Sequence, residues 1–390
     1  MGKAPATKDK TKTKAKAKVF NKPVIKWTGG KFSELPQLQP YLPTKVSTFI
    51  DPFVGGGAML YNIKAERYCI NDIDKDLMMF YIMTWKVPLW KQFQAIIKTV
   101  DEARQVIRDA TFRKEIPTDK EFVQVGMAAL HKLSPSLFCP IANGSLPKEY
   151  EKRIARIASH HSPMENPQEY IRTGLFSVLY ASIRSAMNAE ILANRYTVKR
   201  LAAWFFIRDM AYGCMQRFAL KGERKGSFNV PYGGASYNGR SMSTKVDRFA
   251  NYRSGMTTKT FDVQCQDFMG CLHHAREQYG DIKENFIFLD PPYDTAFSSY
   301  SSSDRFMPER YEELLEFLLN TNMRFMLVLK VTPLMRKLFY NRKGWYYRHI
   351  DKKYRVNIRN RNNREARHVI ITNYRKPASF DNEVSQEAAD

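Results

Sequence analysis

Short, unbroken apolar runs alternate along this chain with longer stretches of helical periodicity. The runs are 46–50 (Val-Ser-Thr-Phe-Ile), 67–70 (Arg-Tyr-Cys-Ile), 285–289 (Asn-Phe-Ile-Phe-Leu), 324–329 (Arg-Phe-Met-Leu-Val-Leu) and 368–372 (His-Val-Ile-Ile-Thr). Segments this short that stay apolar on consecutive positions suit strands buried on both faces of a sheet. Between them apolar residues recur at helical spacing, as at 309–320 and 334–340. That alternation predicts an α/β layer architecture. The stretch from about 85 to 260 departs from it. Helical patterns there cover about 90–108, 119–133, 168–190 and 199–220, the composition is basic, and Tyr and Arg interleave towards its end. It reads as a mainly helical domain inserted into the α/β pattern.

Three of the predicted strands end at an acid: Asp51, Asp72 and Asp290. In open α/β sheets ligands collect outside the C-terminal ends of the strands. Asp51 opens the cluster Asp51-Pro-Phe-Val-Gly-Gly-Gly57, whose glycines permit a tight turn and close approach of backbone to a ligand. An acid about 20 residues beyond such a turn, as Asp72 is, is placed to bind a ribose diol. Neither GxGxxG nor GxxxxGK[ST] occurs, which disfavours NAD and ATP. After the third strand comes Asp290-Pro291-Pro292-Tyr293. Two prolines stiffen the turn and remove backbone donors but leave carbonyl acceptors. A carboxylate, a fixed carbonyl and an aromatic ring facing one cleft suit an aromatic amine, whose two N–H bonds they accept and whose ring they stack.

Composition sharpens the class of partner. In 390 residues, 62 Lys and Arg stand against 39 Asp and Glu, a net charge of +23, which points to nucleic acid. With 44% hydrophobic and 26% charged residues, most of the chain is able to build a core, and its length suggests two or three domains. No run of 18 apolar residues predicts a membrane span. The five cysteines are scattered with no CxxC pair, which supports neither a disulfide scaffold nor a cysteine zinc module. His160-His161 and His273-His274 lack ligand spacing, so no metal is expected. Residues 1–22 hold eight lysines and one acid, Asp9, and are expected to be disordered. They lack the apolar segment of a signal peptide, and Ala6 breaks the myristoylation pattern. The expected division is a disordered tail over 1–22, a first α/β part over 23–85, a basic, mainly helical insert over 86–260, a second α/β part over 261–375, and a disordered tail over 376–390. The expected location is intracellular, wherever nucleic acid is accessible: bacterial or viral-factory cytoplasm, or nucleus.

These pieces together resemble the D12 class of N6-adenine-specific DNA methyltransferases, the Dam type. The matching motifs are Lys26-Trp-Thr-Gly-Gly-Lys31, Asp51-Pro-Phe-Val-Gly-Gly-Gly57, Asn71-Asp-Ile-Asp74, Gly226-Ser-Phe-Asn-Val-Pro-Tyr-Gly233, Gln266-Asp-Phe268, Asp290-Pro-Pro-Tyr293 and Val369-Ile-Ile-Thr-Asn-Tyr374. They occur in family order across most of 22–374. The resemblance implies a Rossmann-like S-adenosylmethionine-dependent sheet, with S-adenosylhomocysteine as product. It places Trp27 and Lys31 at the methionine end of the cofactor, and Asp51, Phe53, Gly55 and Gly57 in the loop beneath it. Asp72 takes the ribose hydroxyls, while Asp267 and Phe268 take the adenine, the acid accepting from its amine. Taken alone, Asp267 would read as a helix N-cap.

The implied reaction transfers a methyl group to N6 of an adenine in duplex DNA. Hydrogen bonds from N6 to Asp290 and the Pro291 carbonyl localise a lone pair otherwise delocalised into the ring, and positioning carries the catalysis. A stacked base must be flipped out first, at a cost of roughly a few kcal/mol, with Tyr293 as stacking partner. Phosphate and base contacts are expected from Arg217, Lys221, Arg224, Lys225, Asn229, Tyr232, Tyr237 and Arg240, around a hairpin-like stretch at 231–240. The chain departs from the family at Leu329-Lys330-Val331, where Ser-Asn-Ser is usual, and at Ala211-Tyr212-Gly213, which lacks the usual Asn before Gly; the segment 86–200 is also longer. Target specificity is therefore not inherited, and neither the recognition sequence nor a partner restriction endonuclease is encoded in these motifs. A monomer or weak dimer is expected. Alternative readings are an RNA adenine methyltransferase, decided by substrate, and a non-catalytic DNA-binding scaffold, against which the intact tetrapeptide and glycine loop stand.

Overall fold

The inner strands are apolar on both faces because helices cover both. The computed structural model describes residues 20–27, 29–109, 167–222, 225–256, 258–292, 306–353 and 365–376. Strands β1 (Thr48–Asp51), β2 (Arg67–Asn71), β3 (Thr260–Gln264), β4 (Phe286–Leu289), β5 (Arg324–Lys330), β6 (Tyr346–Lys353) and β7 (Glu365–Thr372) form one sheet in the order β3-β2-β1-β4-β5-β7-β6. β1 to β5 pair in parallel, whereas β7 runs antiparallel to both β5 and β6. The seven-stranded sheet has the α/β layers that the alternating runs predict and is consistent with the Rossmann-like fold that the resemblance implies.

Alternate residues of each inner strand feed two separate cores. Phe49, Phe286, Phe288, Met326 and Val328 face one cluster; Ile50, Ile287, Leu289, Phe325 and Leu327 face the other. The second cluster is covered by α7 (Phe268–Tyr279), α8 (Pro308–Leu319) and α9 (Pro333–Phe339), numbered after α1 (Leu35–Leu38), α2 (Lys75–Trp85), α3 (Val87–Asp109), α4 (Pro167–Leu192), α5 (Val198–Met210) and α6 (Ser243–Ser254). The first cluster continues outward without a break. Phe80 of α2 stacks on Phe205 of α5 with centroids 5.6 Å apart and packs against Phe249 of α6 at 5.5 Å. The described helices of 86–260 thus share a core with the sheet. The helix expected at 119–133 lies outside the described residues, as do residues 1–19 of the lysine-rich tail and 377–390.

Three local expectations differ from the structure. β3 and β6 are absent from the apolar-run reading because they are the two edges of the sheet. Edge strands are half-exposed and carry charge, as in Tyr-Tyr-Arg-His-Ile-Asp-Lys-Lys of β6. The helix expected over 199–220 stops at Met210: Ala211 turns extended and pairs with Tyr232, and Gly213 takes a positive φ of 62°. The ribbon also lies earlier than expected. Phe218 pairs with Phe228, Ala219 N–H donates to Ser227 O at 2.8 Å, and Asn229 N–H donates to Arg217 O at 3.0 Å, so the hairpin spans 217–229 and not 231–240.

Candidate active site

The parallel strands deliver their acids to one edge of the sheet. Asp51 is the last residue of β1 and Asp72 follows β2; Asp267 follows β3 as the N-cap of α7, and Asp290 follows β4. The Asp72 carboxylate holds the glycine loop, accepting from Gly55 N–H and Asp74 N–H at 3.1 Å each. The Gly55 carbonyl in turn accepts from Tyr81 Oη at 3.0 Å. Gly57, at φ 77°, lies so close to Tyr81 and Tyr61 that a Cβ there would come within 2.7 Å of the Tyr81 hydroxyl. Trp27 lies against this loop, since a Cβ on Gly55 would sit 2.7 Å from its ring, and the Arg208 guanidinium lies over the same ring at 4.5 Å.

Burial and crowding set the electrostatics. Desolvation raises the Asp51 carboxyl well above the usual carboxylate range, and the nearby charges of Asp290 and Asp72 push the same way. Burial pushes Asp72 up to about 7. Lys31 offsets this crowding. Its ammonium, only 2% exposed, pairs with Asp290 Oδ1. Lys31, expected at the methionine end of the cofactor, here pairs with the acid of the Asp290-Pro-Pro-Tyr293 tetrapeptide. Pro292 is fixed from beneath, its carbonyl accepting from Tyr311 Oη. Tyr293 lies outside the described residues.

At the far end of the edge, Phe53 packs on Phe268 at 5.1 Å, and Phe306 closes on both, at 5.9 Å and 5.1 Å. Asp267 accepts from Met269 N–H at 3.0 Å and so does cap α7. It also binds Arg310, a residue that no sequence signal singled out.

Against this geometry, a sequence model of the D12 class of N6 adenine-specific DNA methyltransferases matches residues 27–358. The chain belongs to that class. It is an adenine-specific DNA methyltransferase. It is 24% identical to the type II methyltransferase M.CviBI of Paramecium bursaria Chlorella virus NC1A, over 90% of this chain and all of that one. It is 25% identical to the type II methyltransferase M.MjaIII of Methanocaldococcus jannaschii, over 73% of this chain and 74% of the relative. A DNA adenine methylase of Vibrio cholerae is 35% identical over 28% of this chain and 37% of its own length.

The methyltransferase's expected DNA residues divide into two groups. Arg217, Lys221, Lys225 and Asn229 are exposed on the 217–229 ribbon, with Arg217 Nε donating to Asn229 Oδ1 at 2.7 Å. Asn188 of α4 anchors that ribbon, exchanging hydrogen bonds with Phe228 N–H and O at 2.8 and 3.0 Å. Arg224 lies outside the described residues. The second group is less exposed, with Tyr237 and Arg240 half-buried. Tyr232 is buried and donates to Asn238 Oδ1 at 2.7 Å. Arg240 stacks on Tyr237 at 3.4 Å and donates to the Asp209 carbonyl. These three also brace the segment that follows the ribbon. The brace depends on α3, where Arg104 and Asp101 hold 237–243. Among the described residues no helix is long and apolar enough to cross a membrane.

Proposed function

We propose that this methyltransferase takes its methyl group from S-adenosylmethionine and places it on N6 of an adenine flipped out of duplex DNA. The reading rests on one observation above others: Asp290, in its Lys31 pair, stands on the same sheet edge as Asp72 and Asp267. The donor set along that edge fits a nucleoside. A buried carboxylate beside a glycine loop suits a ribose diol, and a half-exposed carboxylate beside Phe268 and Phe53 suits an aminated ring. Asp72 would hold the ribose, Asp267 with Phe268 the adenine, and Trp27 with the glycine loop the remainder. When bound, the cofactor supplies a methyl group activated by a sulfonium. Asp290 and the Pro291 carbonyl accept the two N6 hydrogens of the target and aim its lone pair; as the N–CH3 bond forms and the sulfonium S–CH3 bond breaks, one N6 proton is lost to solvent, and the Lys31 ammonium orients the Asp290 carboxylate through their ion pair. The exposed cations of the 217–229 ribbon would neutralise phosphates, which makes DNA affinity fall steeply with salt.

The test is methylation of duplex DNA and of RNA of the same sequence with methyl-labelled cofactor, with the product base identified by mass spectrometry. The expected product is N6-methyladenine in DNA. Label confined to RNA, or on cytosine, would overturn the reading. Flipping is followed with 2-aminopurine at the target, whose fluorescence should rise on binding.

Cofactor affinity should depend on pH through Asp72. Ribose hydroxyls donate to the ionised carboxylate, and burial makes that form scarce below about pH 7. Affinity should therefore be full above pH 7 and fall as the pH drops, by up to about tenfold per unit. Titration calorimetry with S-adenosylhomocysteine from pH 5.5 to 8.5 measures this. Asp72→Asn should bind more weakly at high pH and show a flat profile.

A further inference from the structure

The surface proposed for the cofactor's adenine already carries a cation from the chain itself. Arg310, in the first turn of α8, directs Nη2 to both oxygens of Asp267 at 2.5 Å. Its guanidinium carbon lies 4.6 Å from the centre of the Phe268 ring, and Nη1 donates to Glu313, one turn along the same helix. A guanidinium is planar, donates N–H bonds in its plane and offers a flat face for stacking. An aminated purine edge presents the same two features. In this conformation the guanidinium engages both oxygens of Asp267 and lies over the Phe268 ring, so a purine amine and ring arriving there compete with it.

We propose that Arg310 is a resident competitor for the adenine subsite. For the adenine to reach Asp267 and Phe268, the Arg310 side chain must leave both, and Glu313 retains it on α8 when it does. This inference rests on the S-adenosylmethionine reading and adds to it a threshold on cofactor affinity set by the protein. It also links the two halves of the reaction. The neighbour of Arg310, Tyr311, donates to the Pro292 carbonyl and packs on Phe306 at 4.6 Å. Displacement of Arg310 therefore takes place one residue from the contact that fixes the catalytic turn.

Asp267 is about half exposed and Arg310 about 29% exposed. A pair so open to solvent, even with ring stacking added, is a modest competitor. Removing it should tighten cofactor binding by about three- to tenfold. The test is equilibrium titration of the full chain with S-adenosylmethionine and S-adenosylhomocysteine, comparing wild type, Arg310→Ala and Arg310→Lys at 50 and 500 mM KCl. Arg310→Ala should bind tighter, and Arg310→Lys should fall between it and wild type, because an ammonium keeps the charge but loses the planar stack. Salt screens the competing pair. Wild-type affinity should therefore rise with salt relative to Arg310→Ala. Equal or weaker binding by Arg310→Ala, with wild type binding normally, overturns the competitor and leaves the cofactor reading standing. A wild-type chain that binds neither molecule overturns both. Arg310 lies on an exposed helix turn, and circular dichroism of the variants confirms that they fold.

Discussion

Asp290→Asn is expected to lower methyl transfer to DNA at least about a thousand-fold while leaving cofactor and DNA affinities within a few-fold of wild type. The asparagine keeps the shape of the side chain but presents one acceptor and one donor where the target amine needs acceptors only. Loss of an oriented group acting on the reacting atom has cost of that order. Single-turnover kinetics, which separate the chemical step from binding, should place the whole loss in that step. A loss confined to DNA affinity would move Asp290 out of the reaction. Lys31→Met is the companion variant. It removes a buried cation from beside Asp290, in a cleft that also holds Asp51 and Asp72. Breaking one side of a buried pair costs about 3 kcal/mol or more, so urea unfolding should show Lys31→Met well below wild type. Combining it with Asp290→Asn should recover much of the stability and none of the activity. That pattern separates the ion pair's contribution to the fold from the carboxylate's contribution to the reaction.

Arg104→Met is expected to weaken DNA binding at least tenfold while cofactor affinity stays near wild type. Arg104 is completely buried in α3, far in sequence from the segment it holds. Its guanidinium donates to the carbonyls of Tyr237 at 3.1 Å, Asn238 at 3.0 Å and Arg240. One turn earlier, the Asp101 carboxylate accepts from Met242 N–H at 2.9 Å, Ser243 N–H at 2.7 Å and Ser241 Oγ at 3.1 Å. Asp101 and Arg104 thus clamp 237–243 from both polarities. The clamped segment continues through Tyr232 and Val230, whose carbonyl takes Tyr180 Oη and Arg184 Nη1, into the basic ribbon at 217–229. Methionine fills a similar volume but leaves three buried carbonyls without this donor, at a cost of about 3–5 kcal/mol. Lysine should not rescue it, because one ammonium cannot span three carbonyls as a planar fork does. Fluorescence anisotropy with labelled duplex, set beside cofactor calorimetry, tests the claim. Unchanged DNA affinity in a destabilised but folded Arg104→Met protein would mean that the ribbon does not need this anchor, or does not hold DNA.

What the sequence determined by itself was everything that depends on neighbours along the chain. The inner strands are legible because a strand covered on both faces has to be apolar at consecutive positions, as Phe286 and Ile287 show by feeding opposite cores. The acids at strand ends and the glycine loop are legible because the strand fixes where the next residues emerge. β3 and β6 were not legible, since an edge strand follows no such rule. Neither was the end of α5 at Met210, which depends on the pairing of Ala211 with Tyr232, two segments joined by a turn and a ribbon. The tertiary structure alone decided which partners the charged side chains meet, carboxylates for Lys31 and Arg310 and backbone carbonyls for Arg104. Lys31 and Asp290 are 259 residues apart, Arg104 and Arg240 are 136 apart, and Asp267 and Arg310 are 43 apart. Hydrophobic periodicity specifies which face of an element is buried, but a buried or bridging charge is stable only where the fold delivers its partner. That is why Arg104 and Arg310, which hold the 237–243 segment and Asp267, carry no local signature, and why Lys31, though legible in its motif, could not be paired with Asp290 from sequence.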